Sequence, residues 1–583
     1  MALSNPTTQG GQTFLHRIRM IIQIVKLSGS ISIPVFAITF ITIIYWTIST
    51  YLWTDFYVFQ KAKLLVFIFS DDNRWGVDLL THKNVIADLN MNANMLYMAV
   101  QFKKAFLISF LSTLMTIFLL FTYWKYKGQK DNQTKHIHGQ VLEDVNQLTR
   151  RIKRNKEASH IMLGSVPMIK NTETQHMLIT GTTGSGKTNC FHHLLKQLRN
   201  QKVVILDTTG EFVERCFDPK RDIILNPLDE RTKQWHVWAE CEEDYHFDEI
   251  AENLIPHTSH DVFWTNASRI VLAESLRMMH KNRGYKTSEL MHLLIKSSLE
   301  SLARYLKDTK AASIIDMQSE KTAASIRINL TAAIQSLGFL EDADKPFSIR
   351  KWMQDDERAL REIDSCTVAK AATSFIGYER LHTTKQNRSR TESSESAKGG
   401  WLFLHMLPEQ RATLRPLVST WASIAIKSLM GCVPNTTRKV WFILDELPSL
   451  HKLTDLSLCL AEGRKYGACI AVGVQNMPQL REIYGDNASL SIIDLCSTKV
   501  IFRMASHNVA LQMSKLLGER EVLEVAEGIS YGANDMRDGV NLNLHRRQKF
   551  TVTPHDLMSL RNLESYVILP GNYPVSKVGW EVA

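Results

Sequence analysis

A glycine-rich segment, GTTGSGKT, occupies residues 181–188 and follows a short apolar run. It matches G-x-x-x-x-G-K-[ST], a pattern whose glycines let successive backbone N–H groups converge on the phosphates of a nucleotide. The amino group of Lys187 would reach the β- and γ-phosphate oxygens, and the hydroxyl of Thr188 would bind Mg²⁺. The segment therefore predicts a nucleotide site with Mg²⁺. Its predicted binding residues are Gly181, Thr182, Thr183, Gly184, Ser185, Gly186, Lys187 and Thr188.

Two adjacent acids follow a second apolar run, in KVWFILDELPSL, where residues 440–444 have the composition of a buried strand. Asp445 would hold Mg²⁺ through water, and Glu446 would polarise the attacking water as a general base. A strand that ends in two solvated acids is common, so the pair is informative only beside the phosphate-binding segment. Together the two motifs indicate nucleotide hydrolysis.

Two polar residues further along the chain, Arg464 and Gln475, have no role that the sequence alone assigns. Arg464 lies at the end of a predicted helix, where basic residues are expected because they complement the helix dipole. Its position alone therefore assigns it no role. Gln475 ends the small-residue strand ACIAVGV and either caps that strand or hydrogen-bonds the γ-phosphate or its attacking water.

The elements around the glycine-rich segment have the order that phosphate binding needs. HMLIT at 176–180 predicts a buried strand, TNCFHHLLKQLRNQ predicts a helix whose positive N-terminal end faces the anion, and KVVILD at 202–207 predicts the next strand. Between this half and the acid pair, segments such as DVFWTNASRIVLAESLRMMH have apolar residues at helical spacing with few breakers. These patterns predict an α/β fold with a helical region between the glycine-rich segment and the acid pair.

Two uncharged stretches, 27–54 and 105–124, precede these motifs. Each supplies about the 20 apolar residues that a bilayer crossing needs, with Trp and Tyr near its ends. The run LLVFIFS at 64–70 is too short to span and predicts a strand. Basic residues precede the first stretch and follow the second, so the positive-inside rule predicts two cytoplasmic termini and a loop of about 55–103 on the other side. The basic stretch 125–156 favours lipid head groups over DNA as its partner.

Composition narrows the class of protein. The chain has 583 residues, a net charge of +10 and a pI near 9.0, which suggests an acidic partner such as nucleic acid or anionic lipid. Its eight cysteines form no C-x-x-C pair and no metal-ligand spacing, so buried reduced thiols in a reducing compartment are predicted.

Taken together, these motifs resemble the type IV secretion coupling proteins, and most closely the TraD-like branch of F-type conjugative plasmids. The four segments that carry the resemblance in the site are GTTGSGKT, LDELPSL (444–450), EGRKYG (462–467) and VGVQ (472–475). Further support comes from TQGGQ (8–12), RIRM (17–20), ILNPLDER (224–231), GWLFL (400–404), YGANDMRDGV (531–540) and YVILPGNYP (566–574).

The resemblance implies a hexameric inner-membrane ATPase with a RecA-like P-loop motor. Such a protein docks the relaxase-bound single-stranded DNA on the type IV secretion channel and moves it at the expense of ATP. Arg464 matches the family's arginine finger, which reaches the nucleotide of the neighbouring subunit, and Gln475 matches its γ-phosphate sensor. The implied catalytic residues are Glu446, Arg464 and Gln475, and the implied Mg²⁺ ligands are Thr188 and Asp445.

The predicted fold is therefore an α/β motor with an inserted all-α domain, preceded by two transmembrane helices at about 30–53 and 105–124. The predicted domains are a membrane anchor (1–127), the first part of the motor (128–240), the all-α insertion (241–346), an extra segment with a polar end (347–399) and the second part of the motor (400–583). Two departures from the F-type pattern concern partners. The stretch 354–398 is additional, and the long acidic tail that would grip a DNA-bound accessory factor is missing.

Two rival functions remain open at this stage. A chromosome-type double-strand DNA translocase shares the motor, but it is expected to carry a C-terminal winged-helix reader, and none follows residue 570. A docking receptor that uses ATP only for assembly differs in its chemistry, because its turnover would not respond to DNA. An ABC exporter is disfavoured because the chain has no LSGGQ-like signature.

Overall fold

The computed structural model describes residues 6–68, 79–131, 135–256, 262–315, 320–355, 400–530 and 539–583. The predicted extra segment 347–399 and the motif at 531–540 lie largely outside these ranges. The chain divides into two units, residues 1–135 with 523–546 and residues 136–522 with 547–583, which are described in turn. The strands of the described residues are β1 (Lys135–Gly139), β2 (Leu142–Glu143), β3 (Ala158–Leu163), β4 (Val166–Ile169), β5 (Met177–Thr180), β6 (Lys202–Asp207), β7 (Ile223–Leu225), β8 (Trp401–His405), β9 (Val440–Leu444), β10 (Ala468–Val474), β11 (Thr498–Ile501), β12 (Glu519–Ser530), β13 (Gly539–Phe550), β14 (Glu564–Ile568) and β15 (Val575–Gly579).

The large unit is built on a ten-stranded sheet in the order β2-β15-β14-β11-β5-β10-β9-β6-β8-β7. The run from β11 to β7 is parallel throughout, while β14 pairs antiparallel with both β11 and β15. β3 and β4 form a small antiparallel pair, and β1, β12 and β13 form a three-stranded sheet. The α/β fold predicted from the sequence is confirmed.

Both faces of the parallel region are buried, which explains why its strands are continuous apolar runs. Successive side chains of a strand point to opposite faces, and the two hydrophobic cores divide them accordingly. In β6, Val204 and Leu206 lie in one core, and Val203 and Ile205 lie in the other. The sheet is therefore a rigid platform with helices on both sides.

Strand order determines which loops meet at the carboxyl edge of the sheet. β10 lies between β5 and β9, and β6 lies on the far side of β9. The register places Val474 of β10 beside Thr180 of β5, and Leu444 of β9 beside Leu206 of β6. Because these strands are parallel, their carboxyl ends lie side by side, which is where ligands bind in open α/β sheets.

Helices cover the sheet and fill the middle of the chain. The described residues of the predicted insertion, 241–346, contain helices and no strand, although its exact boundaries stay a prediction. A π-helical turn, His292–Lys296, interrupts this region. The α-helices of the large unit are Val145–Arg154, Lys187–Gln197, Glu211–Cys216, Tyr245–Leu254, Val262–Lys281, Thr287–Met291, Leu299–Tyr305, Glu320–Ile334, Arg411–Met430, Thr454–Glu462, Met477–Tyr484, Asp486–Leu495, His507–Leu517 and Pro554–Met558. Short 3-10 turns occupy Glu173–Gln175, Val237–Glu240, Gln335–Phe339, Pro408–Gln410, Leu447–Ser449 and Gly463–Tyr466.

The small unit contains two helices that are long and apolar enough to cross a membrane, over Ile21–Thr47 and Leu89–Lys127 with mean hydropathy 2.0 and 2.2. They pack together through aromatic contacts such as Phe36 against Phe106, whose ring centroids are 5.6 Å apart. Two candidate spans are thus present, as predicted. The helices of this unit are Pro6–Thr47, Thr50–Ile68, Leu79–Ala87 and Leu89–Asp131.

Two details of the small unit correct the sequence prediction. Residues 64–68, predicted as part of a strand, are the end of the helix Thr50–Ile68. A helix satisfies its backbone hydrogen bonds internally, whereas a short apolar strand would need a neighbouring strand. The first span was also placed too late, because the first helix ends at Thr47 instead of near residue 53.

Six of the seven described thiols are buried, as the sequence predicts. Seven cysteines are free, and six of these are buried while Cys216 is partly exposed. Cys366 lies outside the described residues. Burial raises the pKa of the Cys496 thiol to about 12, so this thiol is protonated and unreactive at neutral pH.

Candidate nucleotide site

The glycine-rich segment has the backbone conformation that its sequence predicts. It leaves β5 at Thr180, turns, and enters the helix Lys187–Gln197. Gly184 and Gly186 have φ angles of +72° and +120°, which side-chain-bearing residues rarely adopt. A Cβ on Gly186 would also lie 3.0 Å from the ring of Phe502. The loop is thus a narrow cradle that only glycine can line at these points.

Polar contacts hold this cradle in shape. The backbone N–H of Thr182 donates to the carbonyl of Arg503 at 2.9 Å, beyond the end of the neighbouring strand β11. The hydroxyl of Ser185 donates to the carbonyl of Thr182 at 2.6 Å, which closes the turn on itself. Thr188 lies in the first turn of the helix and is partly buried. Contacts within the protein therefore hold the loop in this shape.

Lys187 is almost completely buried, with 4 % of its side chain exposed. Its ammonium donates to the carbonyl oxygens of Gly181 at 2.8 Å and Thr182 at 3.1 Å. Burial lowers the pKa of Lys187, and the nearby carboxylates of Glu446 and Asp445 oppose that change. An ammonium that is hydrogen-bonded to two neutral carbonyls can exchange them for phosphate oxygens, which bind it more strongly.

The acid pair lies directly after β9, at the same edge of the sheet. Burial raises the pKa of Asp445 to about 7, and the charge of Lys187 opposes the rise. Burial also raises the pKa of Glu446 to about 7. One oxygen of each acid, Oδ1 of Asp445 and Oε2 of Glu446, is buried without a hydrogen-bond partner among the described residues.

These observations test whether the site fits a nucleotide with Mg²⁺. Carboxylate and hydroxyl oxygens suit Mg²⁺, and the two unpaired carboxylate oxygens supply them next to the cradle. Backbone N–H groups and the ammonium of Lys187 suit phosphate. The residues present therefore fit Mg²⁺ and a nucleotide phosphate, with Thr188 and Asp445 as the residues that would hold the ion.

Gln475 connects the cradle to the acid pair. Its side-chain oxygen accepts a hydrogen bond of 3.0 Å from the hydroxyl of Thr183. Its backbone N–H donates to Oε1 of Glu446 at 3.5 Å. The two contacts follow from strand order, because Gln475 ends the strand that separates β5 from β9. Both interpretations of Gln475, as a strand cap and as a group that hydrogen-bonds the γ-phosphate or its attacking water, are compatible with these contacts.

An open cavity of about 570 Å³ lies over this edge of the sheet. Thr182, Thr183, Glu446 and Gln475 line it, together with residues that the sequence did not single out. Those additional residues are Thr208, Thr209, Arg411, Asn476, Met477, Pro478, Gln479, Met504, Ala505, Ser506 and Val509.

Asp207 is one of the residues that sequence reasoning missed. It ends β6, is fully buried, and accepts hydrogen bonds from the backbone N–H groups of Gly210 at 2.7 Å and Val213 at 2.8 Å. It thereby fixes the turn that brings Thr208 and Thr209 to the cavity. The signal was available, because KVVILD is an apolar run that ends in an acid, as the strand before Asp445 is.

Gly473 is a second missed residue. A Cβ on it would lie 1.9 Å from the carbonyl oxygen of Asp445, so the backbone just after β9 lies too close to β10 there for any side chain. The small-residue composition of ACIAVGV indicated a crowded strand, but nothing in the sequence indicated which neighbour would crowd it. Arg411, the third missed residue, lies in no recognisable motif.

Arg464 is the predicted site residue that lies away from the carboxyl edge of the sheet. It lies in the 3-10 turn Gly463–Tyr466, before β10, and its side chain is exposed. Gln475 lies after that strand, and seven residues at about 3.3 Å each separate the two ends by roughly 20 Å. Arg464 is therefore at the opposite edge of the sheet from its own subunit's cradle.

Known proteins resemble this chain over most of its length. Residues 160–368 and 379–581 match the family described as type IV secretion-system coupling protein DNA-binding domain. The coupling protein TraD of Escherichia coli (strain K12) is 34% identical over 484 residues, 82% of this chain. VirD4 of Bartonella henselae, a type IV secretion system-coupling protein, is 21% identical over 434 residues, 69% of this chain. Each alignment spans 62% of the curated relative's own length.

Solved structures of the plasmid coupling protein TrwB give the same fold. The complex with ADP and Mg²⁺ covers 77% of this chain and 94% of that one, at 25% identity and a TM-score of 0.62. The complex with a non-hydrolysable ATP analogue has the same identity and TM-score and covers 95% of the TrwB chain. The family match covers most of the chain, and the chain belongs to the type IV secretion-system coupling protein family.

Proposed function

We propose that the protein is a conjugative coupling protein that hydrolyses ATP with Mg²⁺ and uses the energy to move single-stranded DNA, with its attached relaxase, to a type IV secretion channel. The observation that carries the proposal is the convergence of the cradle, Glu446 and Gln475 on one cavity in a chain of this family. TrwB, a relative of similar fold, has been solved with ADP and Mg²⁺ and with an ATP analogue.

Each predicted residue of the nucleotide site has one role in this proposal. Lys187 exchanges its loop carbonyls for the β- and γ-phosphate oxygens, and Thr188 and Asp445 hold the Mg²⁺, which would neutralise phosphate charge. Oε2 of Glu446 accepts the proton of the attacking water, for which a pKa near neutrality is well suited. The side-chain amide of Gln475 leaves the Thr183 hydroxyl and orients the γ-phosphate or that water.

Arg464 acts on the nucleotide of a neighbouring subunit. The support is its exposure and its distance of roughly 20 Å from its own subunit's cradle, estimated from the rise of β10. An arginine supplied in trans stabilises charge in the transition state and contributes about 10³–10⁵ in rate in other phosphoryl-transfer systems. The protein would therefore work as a ring, and a homo-hexamer is the proposed assembly.

The remaining proposals concern the membrane and the DNA. Both termini are proposed to be cytoplasmic, with the residues between the spans on the far side of the bacterial inner membrane. The basic helix Val145–Arg154, whose arginines are exposed, is proposed to meet lipid head groups. DNA contacts would be directed to the backbone and weakened by salt. The domain boundaries predicted from the sequence are retained in this proposal.

The proposal is tested by measuring ATP turnover of the full-length protein in lipid nanodiscs, with and without single-stranded DNA. A motor hydrolyses ATP faster when single-stranded DNA is present, and Lys187→Ala abolishes both rates. An ATP turnover rate that does not change when DNA is added would favour a docking receptor that uses ATP only for assembly. Stimulation by double-stranded DNA alone would favour a chromosome-type translocase.

A further inference from the structure

Arg411 places a cation on the nucleotide cavity that belongs to neither the cradle nor the acid pair. It begins the helix Arg411–Met430, just after the 3-10 turn Pro408–Gln410 that follows β8. Because β8 runs parallel to β6, this helix starts at the same edge of the sheet as the cradle. Among the described residues that line the cavity, Arg411 carries the only positive charge.

The guanidinium of Arg411 is not committed to another described residue. It makes no hydrogen bond or ion pair with the described part of the chain, and its Nε is buried without a partner there. Arg415, one turn further along the helix, is different because its guanidinium donates to the carbonyl of Leu450 at 2.6 Å. Buried polar groups are normally paired, so an unpaired donor at the edge of a ligand cavity indicates a ligand contact.

The negative charge beside the cavity also favours a second cation in the same subunit. Asp445 and Glu446 add negative charge beside the position of the phosphates, and Lys187 is the only ammonium in the cradle segment. Arg411 lines the same cavity as Glu446, and its charge attracts the carboxylate of Glu446. Arg411 is therefore close enough to act electrostatically on the reacting end of the site.

We propose that Arg411 binds the terminal phosphate of the nucleotide held by its own subunit, so that the site distinguishes a nucleoside triphosphate from a diphosphate. This inference rests on the proposed function, because it assigns a further residue to the same nucleotide site. Guanidinium forms two parallel hydrogen bonds to phosphate, which lysine cannot reproduce. Arg411 is thus the contact within the subunit, and Arg464 is the contact from the neighbour.

The test is the affinity of the full-length protein for two nucleotides with Mg²⁺, ADP and a non-hydrolysable ATP analogue. Arg411→Ala should weaken binding of the analogue on the order of 10- to 100-fold, as expected for a lost charged hydrogen bond, and leave ADP within about twofold. Arg411→Lys should lie between Arg411→Ala and the wild type. Arg304→Ala, which removes an exposed arginine of the helical region, is the control for net charge.

Three outcomes would overturn the inference. Equal weakening of both nucleotides would make Arg411 a structural residue. Unchanged affinities with a shifted pH profile of turnover would mean that it acts only through Glu446. Unchanged affinities and an unchanged profile would give it no role. A wild-type protein that binds nucleotide but does not hydrolyse it would instead refute the proposed function and leave the affinity test decisive for Arg411. Arg411→Lys provides the same reading if the alanine variant fails to fold.

Discussion

Replacing Gly473 by alanine tests whether the close approach of the Asp445 backbone to β10 positions the acid that is proposed to hold Mg²⁺. The added Cβ would lie 1.9 Å from the carbonyl oxygen of Asp445 and 2.6 Å from its carbonyl carbon. An ordinary contact is roughly 3.5 Å, so the Asp445 backbone must move by roughly 1.5 Å. Backbone atoms of a fully buried sheet cannot rotate away as the end of a flexible side chain can. The displacement therefore carries the Asp445 carboxylate with it.

A misplacement of about 1 Å in a catalytic group can lower the rate about 100-fold. We expect Gly473→Ala to lower ATP turnover by about that factor and to raise the Mg²⁺ concentration that gives half-maximal turnover. Overpacking of this kind also costs about 1–3 kcal/mol of folding free energy. In a chain of this size we expect a melting temperature that falls by a few degrees, with the protein still folded.

Turnover is measured by phosphate release over a Mg²⁺ titration, with circular dichroism as the check on folding. Gly579→Ala is the matched control, because Gly579 ends strand β15 and a Cβ there meets nothing within 4 Å. The control should keep wild-type turnover. A folded Gly473→Ala protein with wild-type turnover and Mg²⁺ dependence would refute the reasoning that this close approach fixes Asp445.

Three further predictions concern the same site. Glu446→Gln should bind ATP with near wild-type affinity but hydrolyse it slowly, because the water loses its base; loss of nucleotide binding in a titration would contradict this division of roles. Asp445→Asn should raise the melting temperature of the nucleotide-free protein, and by more at pH 8 than at pH 5. Burial raises the pKa of the Asp445 carboxyl from 3.8 to about 7, so its cost to the fold grows as pH rises between these two values and is constant above the upper one. An advantage that is constant with pH would argue against a buried neutral acid. Mixing Arg464→Ala with Lys187→Ala, each inactive alone, should restore part of the ATPase, since some subunit interfaces pair an intact cradle with an intact arginine; no recovery in mixed rings verified by cross-linking would exclude action in trans.

Local features of the site were determined by the sequence alone. The cradle could be predicted because its glycines and the helix start at Lys187 depend on backbone conformation within eight residues. The acid pair could be predicted because an apolar run of strand length must be buried, and the first polar residues after it fall at the edge of the sheet. The two apolar stretches near the N-terminus were equally clear from length and composition.

The same local patterns were insufficient where one apolar run fits two structures. Residues 64–68 satisfy the pattern of a strand, but they continue the helix Thr50–Ile68. The end of the first helix at Thr47 was also missed, because the uncharged stretch runs past it without a change in composition. Hydrophobicity reports burial and length, and it does not report where a backbone changes direction.

Only the tertiary structure decided which distant residues meet. The placement of β10 between β5 and β9 brings Gln475 to Thr183 and Glu446, although 292 residues separate Gln475 from Thr183 along the chain. The same strand carries Arg464 to the opposite edge of the sheet, and β8, on the far side of β6, leads to Arg411 at the cavity. Periodicity and turn propensity act within a few residues, whereas strand order is set by how all the strands and helices pack together around two cores.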